Sequence, residues 1–94
     1  MKAIELAEQI KSTLQERGEN YGSMYENHDR IANIWSVILG QEVTALQVVQ
    51  CMIGVKLARL IQTPGHDDSW LDIAGYAGVG AECVDTLRRQ EESK

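Results

Sequence analysis

TALQVVQCMIGVKLARLIQTPG, residues 44–65, decides the fold. Thr44 and Gln47 stand in the T-x-x-Q spacing of a capping box: the hydroxyl accepts from a first-turn amide and the glutamine side chain returns to the cap N–H. Val48, Val49, Met52, Ile53, Leu57, Leu60 and Ile61 then recur mostly at spacings of three and four over about four turns, the period of an amphipathic helix. Thr63-Pro64-Gly65 ends the run, because proline cannot continue the hydrogen-bond ladder. The spacing predicts a helix over 44–62, the most buried of the chain, with Cys51 in the core.

Downstream, HDDSWLD (66–72) offers Ser69 and Asp72 in the same box-like spacing, predicting a helix over 69–89 and a frayed tail at 90–94. Ala74, Gly75, Ala77, Gly78, Gly80 and Ala81 make this helix unusually small-sided. Each glycine costs up to about 1 kcal/mol relative to alanine, so close approach by another helix, of this chain or of a partner subunit, is expected in return.

Upstream, Ile4, Ala7, Ile10 and Leu14 form one stripe, predicting a helix over 2–17 that Arg17-Gly18 stops. Glu19 to Gly22 then reads as a turn. Ser23-Met24-Tyr25-Glu26 is a further capping box, opening a helix over 23–39 with Ile31, Ile34, Trp35 and Ile38 inward and Gly40 at its end. The expected fold is all-α, a compact bundle of four helices in one domain, 1–94. A chain of 94 residues buries only a small core, which favours a homo-oligomer.

The formal net charge is −5 and the nine basic residues are scattered, which excludes the basic stripe a duplex-DNA binder needs. A small anionic ligand needs only two or three converging cations and stays allowed. Cys51 and Cys83 lack metal or redox spacing, the N-terminus lacks the apolar run of a signal peptide, and no stretch reaches the roughly 20 apolar residues of a membrane span. The expectation is a cytoplasmic protein with reduced thiols and no membrane partner.

Three groups of residues carry candidate chemistry. Asp68 and Asp72, four apart, share a helix face and can hold Mg²⁺ with His66 or Asp67 nearby; alternatively they are first-turn acids favoured by the helix dipole, and His66 is simply solvated. Lys56 and Arg59 interrupt the apolar run on nearly one face, either to pair with Asp68 and Asp72 or to meet a phosphate. Arg17, Tyr21, Gly22, Ser23, Tyr25, Asn27, His28 and Arg30 surround a helix start, where free N–H groups suit an anion and a tyrosine face suits a base; alternatively Tyr21 or Tyr25 packs over the core edge. Trp35 and Trp70 read as packing. Walker-type glycine loops, HExxH, zinc-spaced cysteines and nucleophile elbows are absent from the sequence.

RGENYG (17–22), Asn27, Arg30-Ile31-Ala32, Trp35, KLARL (56–60) and HDDSWLDIAGYA (66–77) together resemble a family of short, phage- and prophage-encoded helical proteins catalogued as a domain of unknown function. Ser69 stands where that pattern leads one to expect Asn, and Ser23 where Asp often follows YG. More weakly, the helix pattern resembles the MazG-like all-α nucleoside triphosphate pyrophosphatases, which hold Mg²⁺ with acidic clusters on two helices. Here the matching carboxylates shrink to Asp68 and Asp72, opposite Lys56 and Arg59.

The resulting expectation is a phage protein that binds a phosphorylated, nucleotide-like ligand. By analogy with phage sponge proteins, it would sequester an immune messenger of the host. Arg17, Lys56 and Arg59 meet phosphate, the Gly22 amide helps, Tyr21 or Tyr25 stacks on a base, and Asn27 and Asp68 read polar edges beside His66. Asp72 orients Arg59. No catalytic residue or cofactor is needed. The alternatives are a Mg²⁺-dependent pyrophosphohydrolase using Asp68 and Asp72, and a structural or host-protein-binding module.

Overall fold

Thr44 caps α3 (Ala45–Gln62) in both directions: Gln47 N donates to Thr44 Oγ1 at 3.2 Å, and Thr44 N donates to Gln47 Oε1 at 2.9 Å. The computed structural model describes residues 1–21 and 23–94, and at Tyr21 the backbone only. Among these, the chain forms α1 (Ala3–Tyr21), α2 (Met24–Leu39), α3 and α4 (Asp67–Glu92), with no strand. α4 packs against all three other helices.

Several boundaries differ from the sequence reading, each for a local reason. α1 passes through Gly18 to Tyr21, because Gly18 does not adopt the left-handed backbone of a helix stop; among the described residues only Gly40 does, at φ 68°, where it ends α2. α4 begins two residues early. Its cap is His66, not Ser69: His66 Nδ1 accepts from Ser69 N at 3.2 Å, with Ser69 Oγ 2.7 Å from the same nitrogen. A ring nitrogen thus does the work of a capping hydroxyl. His66 is therefore half-buried rather than merely solvated, and Ser69 is buried in the third helical position. α4 also continues to Glu92, through part of the expected tail.

α2 starts at Ser23, whose Oγ accepts from Glu26 N at 3.3 Å. Its buried stripe is Met24, His28 and Ala32, one face at steps of four. Ile34 and Ile38, expected inward, are 59% and 73% exposed, so the helix is rotated from the sequence reading. Ser36 Oγ donates to Ala32 O at 2.7 Å and accepts from Val43 N at 2.8 Å, which ties the α2–α3 turn to α2.

Met24, Val49, Val79 and Cys83 form the core, with Leu14, Tyr25, Leu46, Ile53 and Tyr76 packed around it. The small residues of α4 serve this core. A Cβ on Gly78 would lie 3.1 Å from Leu14 Cδ1 and one on Gly80 3.4 Å from Val49 Cγ1, so α1 and α3 of the same chain make the close approaches. α3 is less buried than its sequence suggests: Ala45, Val48, Val49 and Leu60 are buried, but Leu57 and Ile61 are exposed. Cys51 is exposed too, and Cys83 is the buried thiol. Trp35 is half-buried; Trp70 is exposed and donates Nε1–H to Pro64 O at 2.9 Å.

Candidate functional site

Where α1 ends, Arg17, Met24, Asn27, His28, Ile31 and Tyr76 enclose a cleft of about 300 Å³. Each reaches it for a reason in the sequence. Arg17 comes from the continuous last turns of α1, Met24 and His28 from the inner stripe of α2, and Tyr76 from α4, one turn beyond Asp72. The Arg17 guanidinium lies 5.9 Å from the Tyr76 ring centroid, a cation–π arrangement. The His28 ring meets Tyr76 edge-on, with centroids 6.3 Å apart and an interplanar angle of 88°.

His28 Nδ1 is 2.8 Å from Met24 O. A carbonyl only accepts, so Nδ1 carries the proton and Nε2 holds the free lone pair of the neutral ring. The cleft therefore combines a permanent cation, a phenol ring, an amide able to donate and accept, and one imidazole nitrogen. That set suits a ligand with an anionic end and a polar, planar remainder.

Along the same face of α4 lies the second cluster. Lys56 Nζ is 3.1 Å from Asp72 Oδ2 across the α3–α4 seam, both side chains largely shielded. Asp72 and Tyr76 are four apart, so this ion pair and the cleft share one face of α4. Arg59 is exposed and forms no ion pair among the described residues, so Asp72 is engaged by Lys56 rather than orienting Arg59.

Of the residues singled out in the sequence, Arg17 and Asn27 meet in the cleft, and Lys56 and Asp72 meet at the seam. Tyr25 does not join Arg17. It borders a separate cleft of about 350 Å³ with Asp29, Ser36, Glu42 and Thr44, whose acidic lining disfavours phosphate. His66 and exposed Asp68 occupy the start of α4 as cap and first-turn acid. Gly22 and the Tyr21 side chain lie outside the described residues.

His28, noted beside Asn27 but given no role, belongs to the cleft, and Tyr76 was missed. Tyr76 follows Asp72 by one turn, so it was legible as a same-face neighbour of a residue already noticed. The Mg²⁺ set expected of a pyrophosphohydrolase does not assemble. Among the described residues no three His, Cys, Asp or Glu side chains are placed to share a cation, and Asp72 faces an ammonium where a second carboxylate would be required.

Residues 5–84 match a protein family described as a domain of unknown function, DUF6378. The Gene 55 protein of Mycobacterium phage L5 is 41% identical over 80 residues, which cover 84% of this chain and 50% of that protein. The Gene 55 protein of Mycobacterium phage D29 is 42% identical over 72 residues, 77% of this chain and 45% of that protein. The chain thus spans about half the length of the curated relatives it matches. No solved structure matches it significantly.

Proposed function

The chain belongs to the DUF6378 family, and from that premise we propose that it is a phage-type protein that binds a small phosphorylated, nucleotide-like ligand and holds it without turning it over. One observation carries this reading: Arg17, Asn27, His28 and Tyr76 converge on a single cleft. Arg17 meets the phosphate by charge-assisted hydrogen bonds. Tyr76, in place of Tyr21 or Tyr25, presents its ring to a base, an interaction worth about 1–3 kcal/mol per stacked base. Asn27 and His28 Nε2 read polar edges. Lys56 of α3, paired with Asp72 one turn of α4 before Tyr76, offers a second cation, moderated by that carboxylate.

A volume of about 300 Å³ fits a compact ligand rather than a long one. The absence of a carboxylate cluster among the described residues favours retention over hydrolysis. Sequestration of a nucleotide messenger is the role such binding would serve.

The test is to mix the purified protein with a bacterial nucleotide extract plus Mg²⁺, isolate it, release its contents by heat and identify them by mass spectrometry. An intact phosphorylated compound released from the protein supports the reading. A free monophosphate accumulating in the unbound fraction would replace it with hydrolysis, and no bound compound would remove it.

A further inference from the structure

We propose that the outer face of α3 is the surface on which a second copy of this chain docks. Gln47, Gln50, Cys51, Gly54, Ala58 and Ile61 lie on the side of α3 turned away from the core, all exposed. That side carries no formal charge. The two charges of α3 are Lys56, held inward by Asp72, and Arg59. Neighbouring Val55 and Leu57 are 57% and 48% exposed, and α2, which packs on α3, exposes Ile34, Val37, Ile38 and Leu39.

The chain as a whole leaves more surface open than a compact monomer does. A compact monomer of 10.5 kDa exposes about 5,400 Å². This chain exposes 6565 Å². That surplus of about 1,100 Å², spread over the whole chain, leaves room for the roughly 800 Å² that each partner gives to a standard-size complex. The radius of gyration agrees, at 14.5 Å, against about 12 Å for a compact domain of this length.

The chemistry of the face points to a like partner. Elsewhere a chain of net charge −5 repels its copy, whereas this side opposes no like charges when two copies meet face to face. Gly54 and Ala58, four apart, let two helix backbones come close. Among the described residues nothing lies within 4 Å of a Cβ placed on Gly54, so the close approach that a glycine permits is not used by them. α3 also has the length and hydropathy of a membrane span, with 22% of it buried. Gln50 and Gln62 argue against a lipid, in which their amides would go unpaired, whereas across two copies they can bond to one another.

Sedimentation equilibrium of the full chain tests this, with Ala58→Glu and Ala58→Ser alongside. Wild type and Ala58→Ser should weigh twice the 10.5 kDa chain at about 100 µM, and Ala58→Glu should associate at least about a hundredfold more weakly with an unchanged circular dichroism spectrum. Should Ala58→Glu fail to fold, native Cys51 serves instead: its maleimide labelling in wild type should slow about tenfold or more from dilute to concentrated protein. A single-chain mass throughout, undiminished association of folded Ala58→Glu, or concentration-independent Cys51 labelling would overturn the proposal. So would a single-chain wild type that floats with phosphatidylcholine–phosphatidylglycerol vesicles, which would assign the face to lipid.

Discussion

Lys56 reaches across the α3–α4 seam to Asp72, Nζ to Oδ2 at 3.1 Å, with side chains 22% and 27% exposed. At this depth the ion pair is worth more than a surface pair but still pays for desolvation, so its net contribution is about 1 kcal/mol. Asp72→Asn should lower stability by about that amount by leaving an ammonium without its counter-charge. A urea-unfolding double-mutant cycle with Lys56→Met measures it. A coupling near zero would mean that the two groups are independently hydrated.

His66 starts α4 with a ring nitrogen. His66→Ala should cost about 0.5–2 kcal/mol, the usual range for losing a cap, and His66→Asn should recover most of it because an amide oxygen can accept from Ser69 N. Thermal unfolding of the pair checks this. Equal loss in both variants would show that the ring acts by packing.

Gly78 admits α1. A side chain there meets Leu14, 3.1 Å from the Cβ position, while among the described residues nothing lies within 4 Å of the Cβ position on Gly75. Gly75→Ala should therefore gain up to about 1 kcal/mol of helix propensity. Gly78→Val should push Leu14 off α4 and speed amide exchange in α1, none of whose described side chains is fully buried. Unchanged exchange in Gly78→Val would show that α1 gives way without loss.

Burial, and secondarily the charge of Glu82, pushes the Cys83 thiol above its ordinary pKa. The unfolded chain then releases this proton at lower pH than the folded chain, so the associated stability is whole below the ordinary thiol pKa and is lost as pH rises through the raised value. Urea midpoints should fall over that alkaline range, and Cys83→Ala should flatten this part of the decline. An equal decline in the variant would place the titration elsewhere.

The helices themselves were legible where local chemistry determines them. The Thr44–Gln47 box, the Ser23 cap and the Gly40 stop are fixed by residues within one turn, and each stands where its spacing puts it. What a helix faces is not a local property. Ile34, Ile38 and Ile61 obey the 3.6-residue period, yet lie outside, because α4 selects the Met24–His28–Ala32 side of α2 and the Val48–Val49–Leu60 side of α3. Cys51, expected in the core, is exposed for the same reason, and Cys83 is the buried thiol. His66 was hidden as a cap because serine and aspartate beside it fit the familiar pattern better.

The site was legible in halves. Arg17 with Asn27, and Lys56 with Asp72, were each suggested by spacing. Their relation to Tyr76 was not, since it depends on α1 lying along α4.

The most direct measurement compares capture of phosphorylated compounds from a bacterial nucleotide extract by wild type, Arg17→Ala and Tyr25→Ala, read by mass spectrometry after heat release. Arg17 borders the cleft with Tyr76, and Tyr25 borders the other cleft. Wild type and Tyr25→Ala should release the same intact compound, and folded Arg17→Ala should release less than about a tenth as much, the loss of one charge-assisted phosphate contact. Equal capture by Arg17→Ala, or loss confined to a folded Tyr25→Ala, would contradict the assignment of the ligand to the Arg17–Tyr76 cleft.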